Sequence, residues 1–192
     1  MAIFTESAVR ARARRETTNF SKAASVLLGE RVQKQASAAN FDIFLSHAFD
    51  DKELLEGTLL LLEDLGYNIY LDWKNDPQLD RTNVTTATAS ALRERMRSCR
   101  CLLFAVTPDA KDSVWMRWEL GWKDGENGRV AILPIEGSTT DSWEGQQFLG
   151  LYPYASDGTI RNTEKMKYWI HRSKSCYILF DEWLDGKEPY NR

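Results

Sequence analysis

An α/β protein built on a parallel sheet with helices on both faces is predicted by three features of the sequence. Short apolar runs recur at residues 41–46, 67–71, 101–106 and 130–135. Longer segments of helical periodicity lie between them. The runs are nearly continuous rather than alternating with polar residues, the mark of strands buried on both sides. Sheets of this kind bind ligands beyond the carboxyl ends of their strands, at the point where the strand order reverses.

The elements follow in chain order. Residues 1–40 read as a basic helical extension. Phe20, Ala24, Leu27 and Leu28 keep helical spacing behind a lead-in of Arg10, Arg12, Arg14 and Arg15. Three readings stay open for it: a helix packed on the main domain, a partner-binding or self-association arm, or a membrane-surface helix. The last is least favoured, because only one weak apolar stripe is present. Residues 36–40 read as a linker, which divides the chain into 1–40 and a main domain, 41–192. Strand 41–46 is followed by a helix over 50–65 with Leu54, Leu55, Leu59, Leu62 and Leu65 on one face and Gly66 as its stop. Strand 67–71 ends at Asp72. A polar loop over 73–83 contains Pro77 and leads into a helix through Ser98. Strand 101–106, a tryptophan-rich helix opening at Ser113, and strand 130–135 complete the alternation. In the tail, runs at 168–171 and 177–180 flank a polar turn, Arg172-Ser173-Lys174, and a helical turn over 181–184 follows. No internal repeat or low-complexity segment is present.

Composition narrows the function classes. The chain has 192 residues, 43% hydrophobic and 11% aromatic, enough for one well-packed domain. A net charge of −3 argues against a general nucleic-acid binder, although residues 1–40 hold seven Lys/Arg against three Asp/Glu. Three cysteines and two histidines cannot supply a repeated metal-ligand pattern, so no metal is expected. The odd cysteine count fits free thiols in a reducing compartment, with Cys99 and Cys101 as small buried residues. No apolar run approaches the roughly 20 residues of a membrane span. The opening residues lack the basic and apolar regions of a secretion signal, which predicts a cytoplasmic protein. Neither a Gly-x-Gly-x-x-Gly fingerprint, a Gly-Lys-Ser/Thr phosphate loop nor a Gly-x-Ser-x-Gly elbow occurs.

One stretch concentrates the chemistry: Ser113-Val114-Trp115-Met116-Arg117-Trp118-Glu119-Leu120-Gly121-Trp122. Ser113 is a helix N-cap, and helical spacing puts Trp115, Glu119 and Trp122 on one side, with Trp118 read as packing. Such a carboxylate is either stranded in an apolar groove or held for chemistry, since crowding by rings disfavours its charged form. Ser46, His47 and Asp72 end strands at the same predicted ligand edge. His171, in a tail strand, reads as structural.

Together these residues resemble the bacterial Toll/interleukin-1 receptor (TIR) domains. Residues 41–48, Phe-Asp-Ile-Phe-Leu-Ser-His-Ala, with Asp51-Lys52, are similar to the opening box of that family. Residues 72–81 are similar to its BB loop, and Ser113-x-Trp115 with Glu119-Leu120 to its third box, with the Trp-x-x-x-Glu spacing. The likeness covers roughly residues 41–136. It implies a flavodoxin-like three-layer fold and, for many bacterial members, cleavage of NAD+ at the nicotinamide–ribose bond. The product is ADP-ribose or a cyclic signal that activates an antiphage effector, as in Thoeris-type defence. It implies Glu119 as catalytic residue, Ser46 and His47 bordering the pocket, Asp80 and Arg81 in a gating loop, and self-association through the TIR domain. His47-Ala48 departs from members with an aromatic residue or Arg after the serine.

The residues agree with this chemistry. Breaking an N-glycosidic bond creates an oxocarbenium-like ribose, which one carboxylate can stabilise. Neutral nicotinamide leaves without a strong acid, Trp115 offers a wall that excludes water, and the missing glycine fingerprint fits NAD+ as substrate rather than retained cofactor. The expectation is therefore an NAD+ nucleosidase or ADP-ribosyl cyclase with no cofactor and no nucleic-acid partner. The alternatives are a non-catalytic adaptor acting through TIR–TIR assembly, or an enzyme like the nucleoside deoxyribosyltransferases.

Overall fold

A computed structural model describes residues 4–35, 40–48, 50–71, 85–107, 113–136, 149–160, 163 and 165–192, with the side chains of 32–35 excepted. The elements are β1 (Phe4–Thr5), α1 (Glu6–Phe20), α2 (Ala24–Gln35), β2 (Phe41–Ser46), α3 (Lys52–Glu63), β3 (Ile69–Leu71), α4 (Thr86–Arg97), β4 (Cys99–Val106), α5 (Val114–Asn127) and β5 (Val130–Glu136). A short 3-10 turn at Leu149–Leu151 precedes β6 (Tyr154–Thr159), β7 (Met166–Ser173), β8 (Cys176–Leu179), α6 (Phe180–Leu184) and β9 (Tyr190–Asn191).

The strands join in one sheet in the order β3-β2-β4-β5-β6-β7-β8-β9, with β1 paired to β5. Strands β2 to β6 are parallel and run second-first-third-fourth-fifth across the sheet, the flavodoxin-like order. From β2 the chain crosses through α3 to β3 on one side, then through α4 to β4 on the other. The reversal therefore lies between the carboxyl ends of β2 and β4. The expected fold class is the one found.

Alternation along the strands sorts side chains between two apolar cores. Ile43, Leu45, Cys101, Leu103, Ala105, Ala131 and Leu133 face the first, under Leu54, Leu55, Leu59 and Leu62 of α3. The two ends of the chain complete it, with Phe4, Val9 and Leu28 from one and Phe180 and Trp183 from the other. Phe44, Tyr70, Leu102, Phe104 and Ile132 face the second core, under Leu92 and Met96 of α4 and Met116 and Leu120 of α5.

The helices begin and end on local chemistry. Asp51 caps α3, accepting 3.0 Å bonds from the Glu53 and Leu54 amides, and Thr85 caps α4. Gly66, at φ 92°, turns the chain after α3 in a left-handed conformation that side chains resist. Helix α1 packs on α3 through the fully buried Val9 and Ala13. Its arginines meet acids of that helix and its cap: Arg10 with Asp51 and Glu53, Arg12 with Asp64, and Arg14 with Glu53.

The tail is more regular than its sequence suggests. Strand β6, Tyr-Ala-Ser-Asp-Gly-Thr, contains Asp and Gly and so has weak strand propensity. Its full antiparallel ladder with β7, from Tyr154–His171 to Thr159–Met166, supplies the order that propensity does not.

Candidate active site

Strand β2 ends at Ser46, which by alternation points, like Phe44, toward the second face and hence toward α5. Helix α5 starts at Ser113, whose side chain accepts a 3.4 Å bond from the Met116 amide, and stops at Gly128 in a left-handed conformation. This places Glu119 opposite Ser46. The Ser46 hydroxyl donates to Glu119 Oε2 at 2.5 Å, with Ser46 1% and Glu119 0% exposed. A short bond from a hydroxyl to a carboxylate, sealed from water, is among the stronger hydrogen bonds a protein makes. It sits at the carboxyl edge of the sheet, beside the strand reversal.

The tryptophans are arranged differently from the single face that spacing suggests. The buried stripe of α5 is Met116, Glu119, Leu120 and Lys123. Trp115, Trp118 and Trp122 flank it, partly buried against the second core. Trp115 and Trp118 meet edge to face at 5.6 Å, so Trp118 belongs with Trp115 rather than apart from it. Residues 115, 118 and 122 form their own i, i+3, i+7 row, one step around the helix from the carboxylate. Arg93 covers Trp118 and Arg97 covers Trp122, each 5.4 Å from the ring centre.

Lys123, unmarked by sequence reasoning, anchors this helix. Its ammonium, 1% exposed, donates to the Met96 carbonyl at 3.0 Å and the Cys99 carbonyl at 2.8 Å, and pairs with Glu126 at 3.0 Å. All three donors are thus used, and α5 is tied to the junction of α4 and β4 one turn beyond Glu119. The signal was legible: position 123 continues the row of 116, 119 and 120.

His47 follows Ser46 at the edge, its Nδ1 3.4 Å from the Leu45 carbonyl. Asp72, Asp80 and Arg81 lie outside the described residues. His171 sits far along the sheet, in β7, bonded to Ser156 at 2.9 Å. Burial pushes its pKa down. The thiols of Cys99 and Cys101 are buried and their pKa values raised by desolvation, that of Cys99 to about 12, so neither is a nucleophile at neutral pH. Among the described residues no group of three or more His, Cys, Asp or Glu side chains could hold a metal ion, and no helix is long and apolar enough to cross a membrane.

No protein-family model matches the chain. A Bacillus cereus (strain MSX-D12) protein named "Probable 3' cyclic ADP-D-ribose synthase ThsB'" is 45% identical over 165 residues, 85% of this chain and 86% of that protein. A Cytobacillus dafuensis protein, provisionally named cyclic ADP-D-ribose synthase TIR2, is 29% identical over 83 residues, 43% of this chain and 22% of its own length.

Proposed function

The chain belongs to the bacterial TIR proteins of the Thoeris type, and on that premise we propose that it cleaves the nicotinamide–ribose bond of NAD+ to make a cyclic ADP-ribose signal in antiphage defence. The observation that carries the reading is the buried Ser46–Glu119 bond at the strand reversal. The C–N bond breaks with its electron pair going to the pyridinium nitrogen, so nicotinamide departs neutral and the ribose acquires positive charge. Glu119 stabilises that charge or holds a ribose hydroxyl, and Ser46 orients the carboxylate. A hydroxyl of the same ADP-ribose then attacks the anomeric carbon and loses its proton. Water in its place gives linear ADP-ribose, the hydrolase outcome.

His47 and Asp72 border the substrate in this reading, Trp115 walls the pocket, and Asp80 and Arg81 belong to a gating loop that self-association completes. The protein acts in the cytoplasm, without a bound cofactor, and its product activates a separate effector.

The test is mass spectrometry of products formed from NAD+ by the assembled, triggered protein. Glu119→Gln, nearly isosteric, is expected to leave the circular-dichroism spectrum unchanged and to lower nicotinamide release by about 100- to 1000-fold, the scale of losing an electrostatic stabiliser. Wild-type protein that never consumes NAD+, or a Glu119→Gln variant as active as wild type, overturns the proposal.

A further inference from the structure

The antiparallel extension carries a cavity of about 660 Å³, within the range of small-molecule sites. It lies on β6, β7 and β8. With strands about 4.8 Å apart, that is roughly 14–24 Å across the sheet from Ser46. Trp169 and Tyr177, which belong to neither apolar core, line it and meet edge to face at 5.7 Å. The His171 ring continues this wall, 5.3 Å from Tyr177.

Polar groups converge on the same space. Ser156 and His171 are 1% and 5% exposed and bond to each other at 2.9 Å. The His171 ring is held from both sides, by Ser156 and by the Ser173 backbone. At the rim stand Lys174 and Arg192, neither in an ion pair among the described residues, whereas Lys167, Arg172 and Lys187 of the same extension are all paired. The Arg192 guanidinium lies over Trp169, Tyr177 and Tyr190, 6.0, 5.3 and 4.7 Å from the ring centres, and donates to the Tyr190 hydroxyl.

We infer that this cavity binds an anionic nucleotide, its heteroaromatic base against Trp169 and Tyr177 and its phosphate at Lys174 and Arg192. Flat rings stack on aromatic walls, the Ser156–His171 pair sets the buried floor behind them, and two cations outside any ion pair suit phosphate. The site is distinct from Glu119 and does not depend on NAD+ cleavage.

The probe is ADP, titrated calorimetrically into the full chain, with adenosine and inorganic phosphate in separate arms. Saturable ADP binding is expected, weaker for either fragment alone. Lys174→Ala with Arg192→Ala, both at the rim, should weaken it about tenfold or more, the scale of one lost charge-assisted contact. Ser156→Ala should weaken it too, and Glu119→Gln should leave it intact. The inference is overturned by no saturable binding at millimolar ADP, by a fragment binding as tightly as ADP, or by binding that survives the rim variants and is lost in Ser46→Ala.

Discussion

At the scale of the residue, the Ser46 hydroxyl and the Glu119 carboxylate form a buried pair whose partners come from elements 73 positions apart. Glu119 needs a donor because it is fully buried, and a carboxylate without hydrogen bonds in such a place is costly. Ser46 needs to be small because it ends a strand against α5. Removing the hydroxyl should therefore act on the carboxylate's orientation more than on substrate affinity. For Ser46→Ala the expectation is a fall in kcat of about 10- to 100-fold, from a bond to a charged group worth about 1.5–3 kcal/mol, with KM changed much less. Steady-state nicotinamide release measures both. A variant with raised KM and wild-type kcat would make Ser46 a binding group only.

At the scale of the element, the approach of α1 to α3 is set by a single missing side chain. A Cβ on Gly57 would fall 2.0 Å from the Val9 carbonyl oxygen and 2.7 Å from its carbonyl carbon. Both groups are backbone and cannot turn aside. Gly57→Ala should thus push α1 off α3 and lower stability by about 1–3 kcal/mol, read as a drop in Tm, with a larger loss for Gly57→Val. An unchanged Tm would mean that α1 has another seat. This contact also shows where sequence reasoning stops. The four central strands, their helices and the Ser46–Glu119 edge were legible because burial on two faces writes continuous apolar runs, and because Ser113 and Gly66 punctuate helices by conformational preference. Strand β6 was not, since its order comes from pairing with β7. Nor was the role of Gly57, whose meaning lies in a helix more than 40 residues away. The tryptophan row misled for a related reason: spacing shows which residues share a face, while the neighbouring strand decides which face is buried.

At the scale of the whole molecule, the ends of the chain complete the layer that α3 begins, and charge holds one of them in place. Arg10 reaches Asp51 at 2.6 Å, and Asp51 is also the N-cap of α3, a few residues beyond Ser46 and His47. Arg12 grips Asp64 at 2.7 Å. For Asp51, burial pushes the pKa up, but hydrogen bonds from Arg10 and from the Leu54 and Glu53 amides outweigh it and the net direction is down. For Asp64 the Arg12 hydrogen bond leads, and the direction is again down. Both acids then bind fewer protons folded than unfolded as pH falls through the carboxylate range. Their contribution is fully present above the unfolded value near 3.8 and is lost as pH drops toward the depressed folded values. Since both carboxylates are largely solvated, added salt should weaken the clamp as well. Acidification from about pH 5 to about pH 2 is therefore expected to release α1 before the sheet melts. Amide exchange along α1 should accelerate first, while β4 and β5, buried on both faces, stay protected. Arg10→Met with Arg12→Met should lower Tm by a few degrees at pH 7 and flatten its decline between pH 5 and pH 3. If the double variant keeps the wild-type slope across that window, these ion pairs do not hold the arm.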